Sequence, residues 1–599
     1  MEETPAAYYR QQITTQTAAL KIISKRINTL SLLRLICATA LVVLIYFLFK
    51  PHNFYLWTAL LIDIAAFVFF IKASATLKEK KKFKEELVRI NENEIKALSY
   101  HYSAFDAGNE FIDTNHPFSF DLDVFGDKSL FQMINRTSTS KGKEMLAKYF
   151  TELNINPQEI RNNQEAIAEL KDKIEWRQYF QATGQLTPNT PSDIEQIQKW
   201  HEFNNKFTGN RFYAYLRIIL PAATLAVWLL YAFKLLAFGI PLCFSLLQLM
   251  ITLMNTGYIS QRQNVISKRL FILKKFHGLI RLAENETFTA KKLASLKNDM
   301  LQDGLPSSAS FLKLVKLVDA LDNRLNIILA ILLNAFLLWD INCMYRIEKS
   351  VEKFKPLFPG WIKLIGEFDV LSSLACFMYN HPKYCVPLIS EAKDFNLETK
   401  AIGHPLINKA EVITNDFIHN SKLNLYLVTG ANMSGKSTFL RTIGINIILA
   451  STGSCVSART FAYTPARLCT SMRVNDSLLK HTSYFFAELN RLKMIVNQLS
   501  HNQNTYILLD EILKGTNSKD QHTGSAKLIE HIIKLNGKGI IATHDTDLAQ
   551  LSEKFPDKIR NIAFEIEMKN NEMIFDYTYK DGVCQTMNAT LLMEQMKIF

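Results

Sequence analysis

"LVTGANMSGKSTFL", residues 427–440, joins the end of an apolar strand to a glycine-rich loop and the start of a helix. In the wider stretch 423–450, an apolar run precedes the loop and a helix-periodic apolar pattern follows it. The spacing G-x4-G-K-S, which begins at Gly430, is that of a phosphate-binding loop, and the required strand and helix flank it. The stretch therefore predicts an α/β domain that binds a nucleotide.

The residue types in this loop suit phosphate binding. Glycines let backbone N–H groups wrap around phosphates, and the following helix adds positive potential at its N-terminus. We expect Lys436 to reach the β- and γ-phosphates of ATP, and the Ser437 hydroxyl to bind Mg²⁺. The predicted ATP-binding residues are Gly430, Ala431, Asn432, Met433, Ser434, Gly435, Lys436, Ser437 and Thr438.

Two later strands predict the catalytic part of the site. TYILLDEIL, residues 505–513, is an apolar strand that ends in Asp510 and Glu511. We expect Asp510 to hold Mg²⁺, directly or through water, and Glu511 to orient and activate the attacking water. GIIATHDTDL (539–548) ends its strand at His544, which would sense the γ-phosphate or polarise water, with a structural histidine as the alternative. The candidate catalytic residues are Glu511, His544 and Lys436.

The order of these motifs is that of ABC-type ATPases, whose sites are completed by a second subunit. KHTSYFFAELNRLK, residues 480–493, places a serine just before an amphipathic helix, and we expect Ser483 to act in trans. The sequence has no LSGGQ motif, so a transporter-type ABC subunit fits poorly. A homodimer with composite ATP sites is the resulting expectation.

Four apolar runs predict two membrane hairpins. Each run is close to the length of about 20 residues that a bilayer core requires, and short polar links join them in pairs. The runs are residues 35–49, 54–71, 218–233 and 235–254. Buried helices of a large soluble protein are the alternative. Asp63 argues for that alternative, since a lone carboxylate in lipid is costly and would have to face a neighbouring helix or the water interface.

Basic residues flank the outer ends of both hairpins. Because such residues favour the cytoplasmic side, we predict an integral protein of the inner (cytoplasmic) membrane, with the nucleotide site in the cytoplasm. The net charge of +13 allows DNA or membrane lipid as partners, although topology already explains much of it. The eight cysteines lack metal-ligand spacing and are interpreted as reduced thiols. A fifth apolar stretch, 325–339, is predicted to be a buried core helix, with a fifth span as the alternative.

The predicted organisation has three parts. Residues 1–104 hold an N-terminal helix, the first hairpin (35–71) and a charged stalk. An all-α core and lever domain, residues 118–420, is interrupted by the second hairpin (218–254). The α/β P-loop ATPase domain of ABC type occupies residues 421–599.

The motifs resemble those of the MutS family of DNA mismatch-repair ATPases. TGANMSGKSTFLR is similar to that family's TGPNMxGKSTxLR, with Ala431 where proline is usual. LLDEILKGTNSKD is similar to the family's DEIGRGTST pattern, with Leu513 and Lys514 in place of glycine and arginine. SYFFAEL resembles STFMxEM, which maps Ser483 onto the trans-acting serine, and ATHDTDL resembles ATHYxEL. Weaker similarity extends the resemblance over 118–205 and 256–599.

The resemblance implies ATP, Mg²⁺, a dimer and a role in DNA mismatch repair. We expect the family's mismatch-reading and connector domains to have no counterpart before residue 118, and its C-terminal dimerisation extension to have none after the ATPase motifs. DNA binding is therefore an open question. A membrane-anchored MutS-like ATPase is the first hypothesis; a membrane-remodelling or transport ATPase, and an ATP-switched membrane scaffold, are the alternatives.

Overall fold

The computed structural model describes residues 4–48, 54–187, 190, 192, 205–267, 270–301, 307–431, 433–473, 484–501, 504–569 and 572–585. In these parts the chain is mostly helical up to residue 380, and its strands form two sheets in the C-terminal region. The expected succession of a largely helical part and a part with mixed sheets is confirmed at this level.

The helices before the sheets are α1 (Pro5–Leu48), α2 (Phe54–Leu98), α3 (Leu130–Ile134), α4 (Ser140–Thr151), α5 (Pro157–Asp172), α6 (Ile174–Gln185), α7 (Arg211–Ala232), α8 (Gly239–Ser267), α9 (Leu270–Asn285), α10 (Lys291–Asp299), α11 (Ser307–Asp322), α12 (Ile327–Leu337), α13 (Trp339–Phe354) and α14 (Phe358–Asn380). The helices among the strands are α15 (Lys436–Thr452), α16 (Tyr484–His501), α17 (Ser518–Lys534) and α18 (Leu551–Lys554). The strands are β1 (Leu388–Ile389), β2 (Leu397–Ile402), β3 (Asn415–His419), β4 (Leu425–Gly430), β5 (Thr460–Tyr463), β6 (Arg467–Ser471), β7 (Thr505–Asp510), β8 (Lys538–Thr543), β9 (Ile559–Lys569) and β10 (Glu572–Asp581).

Four helices, α1, α2, α7 and α8, are long and apolar enough to cross a membrane. A fifth crossing follows only if the bent pair α11 and α12 is counted as one span. The apolar runs of α1 and α2 expose large side chains, including Val42 at 66% and Leu61 at 66%. Asp63 of α2 lies beside Cys37 of α1, with which it shares a hydrogen bond. The carboxylate therefore faces the neighbouring helix.

Helices α7, α8 and α12 pack together into what we term the apolar bundle. Its internal contacts include hydrogen bonds: Gln248 Nε2 donates to Thr224 Oγ1 (2.5 Å), and Trp228 Nε1 donates to Ser245 Oγ (2.9 Å). The Leu338 N–H, at the end of α12, donates to Gln248 Oε1 (3.0 Å). Hydrogen bonds inside the bundle thus join all three helices.

The prediction that residues 325–339 form a buried core helix is wrong. The stretch forms α12, which has 11 residues and turns by 113° from α11. Ile327 and Ile328 are each 74% exposed, whereas Asn334 and Ala335 are buried. An apolar composition does not say which medium covers it, and here the polar Asn334 faces inward. At about 1.5 Å per residue, α12 is roughly half the length that a bilayer core of about 30 Å requires.

The helical core is organised around α14, which packs against α4 and α5. Its buried Asp369 accepts hydrogen bonds from the Ser138 and Thr139 N–H groups (2.9 and 2.8 Å) just before α4. These contacts satisfy backbone donors that the start of a helix leaves unpaired. Helix α15 of the sheet region also contacts α4 and α5, so the core abuts the helix that follows the glycine-rich loop.

The larger sheet has the strand order β10-β9-β4-β8-β7-β6, and all neighbours pair in parallel except β10 with β9. Strand β4 is buried along its whole length because it lies in the middle of this sheet. The smaller sheet has the order β1-β5-β2-β3. Parallel pairing brings the carboxyl ends of β4, β7 and β8 to one edge, where open α/β sheets bind ligands.

Candidate functional site

The glycine-rich loop connects β4 directly to α15. Gly430 has φ 155° and Gly435 has φ 107°, both in the range that favours glycine. A Cβ at Gly430 would lie 2.7 Å from the Phe564 carbonyl oxygen, so a side chain does not fit there. Met433 also has a positive φ of 67°, and its side chain is 77% exposed. Asn432 lies outside the described residues.

Lys436 is folded back into this loop at the start of α15. Its buried Nζ donates to the Gly430 and Ala431 carbonyl oxygens, at 2.7 Å each. Burial lowers the pKa of Lys436, although the nearby carboxylates of Glu511 and Asp510 oppose that shift. Ser434 Oγ donates to the same Ala431 oxygen (2.9 Å). The lysine therefore lies between the loop and the two carboxylates, and its expected contact with the phosphates of ATP stays a prediction.

Asp510 ends β7 next to Ser437. Burial raises the pKa of Asp510, and a hydrogen bond from the Ser437 side chain opposes that shift. The Asp510 Oδ1 atom is buried and has no hydrogen-bond partner among the described residues. A buried carboxylate oxygen without a donor, beside a hydroxyl, is a donor set that suits Mg²⁺. The two predicted Mg²⁺ ligands thus lie together and fit such an ion.

Glu511 follows at the edge of the sheet with a φ of 50°, and its N–H donates to the Ala542 carbonyl oxygen (2.9 Å). Its Oε2 atom is 2.8 Å from Lys514 Nζ and 3.8 Å from His544 Nδ1. Burial raises the pKa of Glu511, but the hydrogen bond and charge of Lys514, aided by His544, outweigh it and hold the pKa below its usual range. Glu511 is therefore ionised at neutral pH.

His544 lies just after β8, and its side chain is 53% exposed. It is close to Glu511, but 3.8 Å is too long for a direct hydrogen bond. The half-exposed ring thus lies beside Glu511.

Ser483 and the residues just before it lie outside the described residues, so the trans-acting role stays a prediction. The helix that follows, α16, contributes a residue whose role the sequence did not reveal. Glu488 is only 3% exposed, and its Oε1 atom accepts from the Leu513 N–H. Burial raises its pKa, and the backbone N–H groups of Leu513, Lys514 and Gly515 oppose the shift. Glu488 thus holds the loop that carries Lys514 against α16.

A cavity of about 520 Å³ opens beside the glycine-rich loop. Lys436, Ser437 and Glu511 line it, together with further polar residues such as His404, Glu411 and Asn415, and a second set of lining side chains is apolar or aromatic. This second set is Ile402, Ile407, Val412, Ile413, Phe439 and Tyr577. The sequence did not identify them as site residues, because they come from loops and strands far apart in the chain. The volume suits a small organic ligand with a charged end.

Two aspartates from the start of the core domain reach the edge of the site. Buried Asp121 accepts from the Met472 and Arg473 N–H groups (3.2 and 3.1 Å). Asp123 pairs with the Arg473 and Arg441 guanidinium groups (2.6 and 3.2 Å). Arg441 belongs to α15, so this acidic clasp, Asp121 and Asp123, joins the loop helix to the chain that leads towards Ser483.

The geometry defines an α/β domain whose polar site lies at the carboxyl ends of parallel strands. Residues 426–593 match the family model for MutS domain V. The DNA mismatch repair protein MutS of Thermotoga petrophila is 32% identical over 241 residues, which cover 39% of this chain and 29% of that protein. MutS of Bacillus mycoides is 28% identical over 243 residues, covering 39% of this chain and 26% of that protein.

The C-terminal region of this chain is therefore similar to domain V of MutS proteins, and the resemblance seen in the motifs is confirmed for that region. It spans less than a third of the length of these relatives.

Proposed function

We propose that this protein binds and hydrolyses ATP in the manner of a MutS-like, mismatch-repair-related ATPase. One observation carries the proposal: Lys436 and Glu511 line the 520 Å³ cavity, and the Lys436 ammonium group lies near the carboxylates of both Glu511 and Asp510. The triphosphate would bind beside Lys436 and Glu511, and the adenine ring beside Phe439 and Tyr577.

Each group has a definite task in this proposal. Lys436 and the loop N–H groups bind the phosphates, and Ser437 and Asp510 hold Mg²⁺. Bound Mg²⁺ neutralises charge on the phosphates. Ionised Glu511 accepts a hydrogen bond from the attacking water and orients it, which is a positioning task that needs no covalent intermediate.

A Glu511→Gln variant tests this assignment. It keeps the size of the side chain and removes its basicity, so we expect ATP to bind normally while turnover falls by at least about a hundredfold. Turnover is measured by phosphate release, and binding by calorimetry with Mg²⁺ and ATP. Glu553→Gln, an exposed glutamate of α18, is the matched control and should hydrolyse ATP at the wild-type rate. Normal turnover by Glu511→Gln would refute the role of Glu511.

The composite dimer can be tested by mixing two inactive variants. Lys436→Ala removes a residue that acts in cis, and Ser483→Ala removes one proposed to act in trans. A mixed dimer carries both defects at one site and none at the other. Mixing should therefore restore about half of the activity per dimer that forms. If mixing restores nothing while mixed dimers are shown to form, Ser483 does not act in trans.

We further propose that the chain is an integral protein of the inner (cytoplasmic) membrane, with the nucleotide site in the cytoplasm. Helices of sufficient length and with exposed apolar side chains support this placement. The test is extraction: the full chain should leave the membrane fraction only with detergent, and resist salt and alkaline washes.

DNA is the partner that the MutS resemblance suggests, and the membrane is the second candidate on which ATP hydrolysis could act; we call these two alternatives the outputs. The membrane output is favoured by how the first hairpin joins the core. Helix α2 continues without a break from the apolar run to Glu94, which forms a buried ion pair with Arg136 of the core (2.5 Å). Tyr9 of α1 donates to Asn380 Oδ1 (2.7 Å). Movement of the core would therefore reach the hairpin.

The two outputs predict different stimulation of the ATPase. Turnover is measured in detergent with duplex, mismatched and branched DNA, and again in liposomes without DNA. Stimulation by DNA supports the DNA-maintenance role. Stimulation by liposomes alone, together with ATP-dependent changes in the vesicles, supports a membrane-remodelling or transport motor.

A further inference from the structure

A basic groove of about 700 Å³ lies where α7, α11 and α13 meet, at the foot of the apolar bundle. Six cationic side chains line it, and no carboxylate is found among the described residues that do so. These cations are Arg217, Lys313, Lys316, Arg346, Lys349 and Lys353. Such a concentration of one charge in a concave surface attracts anions.

The acidic side chains of the same helices do not neutralise this groove. Asp319 of α11 pairs with Lys274 (3.2 Å), and Asp340 of α13 pairs with Arg324 (3.0 Å). Glu352 of α13 is exposed and is not part of the lining. The four lysines and Arg346 are also exposed. Their charge is therefore available to a ligand from outside.

Arg217 shows where the groove lies along the apolar bundle. It is the last cation before the apolar run that starts at Ile218, and Ile218 is 58% exposed. Its Nη1 donates to Asn342 Oδ1 (3.0 Å), and its guanidinium carbon lies 4.1 Å from the centre of the Tyr345 ring. The Arg217 Nε atom is buried and has no hydrogen-bond partner among the described residues. Arg217 is thus held in place with one donor unused.

Exposed aromatic side chains lie at the same position along α7. Phe212 and Tyr215, just before Arg217 on α7, are 61% and 66% exposed. Exposed aromatic rings next to an apolar span are typical of the membrane–water interface. The groove therefore opens at the depth where lipid headgroups would lie.

We propose that this groove binds the headgroup of an anionic phospholipid, an inference that rests on the membrane attachment proposed above. The lipid phosphate pairs with Arg217 and the neighbouring cations, and its acyl chains lie along the exposed apolar face of α7. A duplex nucleic acid is the less suitable ligand, since at this depth it would press against a membrane surface that also repels it.

The test uses the full chain in an uncharged detergent. Calorimetry measures binding of water-soluble, short-chain phosphatidylglycerol and, in parallel, of the corresponding phosphatidylcholine. The groove variant is Lys316→Gln/Arg346→Gln/Lys349→Gln. The control, Lys493→Gln/Lys527→Gln/Lys534→Gln, removes the same charge from exposed lysines of α16 and α17. Lys316→Arg/Lys349→Arg keeps the charge and tests whether packing alone is responsible.

We expect wild type, control and the arginine variant to prefer the anionic lipid, and the groove variant to bind it on the order of a hundredfold more weakly. Unchanged binding by the groove variant would overturn the proposal. Inorganic phosphate should not displace the lipid at equal concentration; if it does, the site recognises free phosphate. If the groove variant loses binding to a short duplex DNA but still binds the lipid, the groove is a nucleic-acid site and the lipid assignment is overturned.

Two further readouts separate this inference from the proposed function. If the wild-type chain needs no detergent, the membrane attachment itself fails. If it needs detergent and hydrolyses ATP but shows no preference for anionic lipid, only the groove assignment fails. The groove variant should keep wild-type ATPase activity, which also shows that it is folded.

Discussion

The six-stranded sheet and the apolar bundle have opposite polarity. Strand β4 is apolar and completely buried, and polar groups gather at the end of the strands. In α7 the described buried residues are Pro221 and Thr224, whereas Ile219 is 62% exposed. In α8, Gln248 is buried and Leu253 is 72% exposed. The sheet buries its apolar side chains, whereas the bundle exposes many of its own.

The two regions also treat their buried polar atoms differently. In the bundle, Gln248 has partners for both its amide nitrogen and its oxygen. In the site, Asp510 Oδ1 and Glu488 Oε2 are buried without a hydrogen-bond partner among the described residues. Unpaired buried oxygens cost stability, and such groups concentrate where a ligand is bound. The site thus gains from a ligand, and among the described residues of the bundle the same holds for Arg217 Nε of α7, which is also buried without a hydrogen-bond partner.

The strongest test of this difference is Asp510→Asn. Replacing the Mg²⁺ ligand should lower turnover by about a hundredfold to a thousandfold. Without ligand, the amide removes a buried charge whose pKa burial raises, so the unfolding midpoint should stay equal or increase. Phosphate release and thermal unfolding without Mg²⁺ measure the two effects. A variant that loses both activity and stability would show that Asp510 is a structural group.

The second test places the same substitution at two exposed leucines. Leu246, in the middle of the apolar run of α8, is 54% exposed, and Leu388 of β1 is 72% exposed. Lysine within a membrane span costs about 2.5–3.5 kcal/mol, so Leu246→Lys should markedly lower the amount of protein recovered from the membrane fraction. Leu388→Lys should have no such effect. Equal tolerance at both positions would mean that water covers the bundle, and the proposal that the bundle lies in a membrane would be refuted.

Acid should weaken the sheet region more than the bundle. His419 of β3 is buried, with Nδ1 3.0 Å from the Tyr506 hydroxyl, and burial lowers its pKa to about 3. The unfolded chain takes up this proton near pH 6.5. Stability is therefore lost as the pH falls from about 6.5 towards 3, by up to about 1.4 kcal/mol per pH unit. The sequence of the bundle helices contains no histidine.

The measurement is the unfolding midpoint of the sheet region against pH for wild type and His419→Gln. The variant should show a smaller decrease on acidification. His531→Gln, at an exposed position of α17, is the control and should follow the wild type. Equal slopes for all three proteins would contradict the assignment to His419.

The sequence allowed the charged end of the site to be located because its residues belong to short contiguous motifs. A glycine-rich turn after a strand, and two carboxylates at the end of another strand, have the same relation in any parallel sheet. The structure accordingly brings Lys436, Ser437, Asp510 and Glu511 together. The roles of these residues stay predictions until they are measured.

The apolar end of the cavity and the loop support could not be found in the same way. Tyr577, Ile413 and Phe439 line the same cavity only because of the tertiary fold, which leaves no local spacing in the sequence. Glu488 looks like an ordinary helix residue until the Leu513 N–H is seen to donate to it. Similarly, the composition of 325–339 indicated that the helix avoids water, but not whether protein or lipid would cover it.

The smallest expected effect concerns the acidic clasp at the edge of the site. Asp123 is 42% exposed, so Asp123→Asn should lower the free energy of unfolding by less than about 1 kcal/mol, although Asp123 pairs with two arginines. Asp121 is 2% exposed and accepts hydrogen bonds from two backbone N–H groups. Asp121→Asn should therefore lower the free energy of unfolding by about 1.5–3 kcal/mol. Chemical unfolding measures both. If Asp123→Asn lowers turnover but keeps stability, the clasp positions the chain before Ser483 relative to α15. If turnover also stays unchanged, the clasp is only a surface contact.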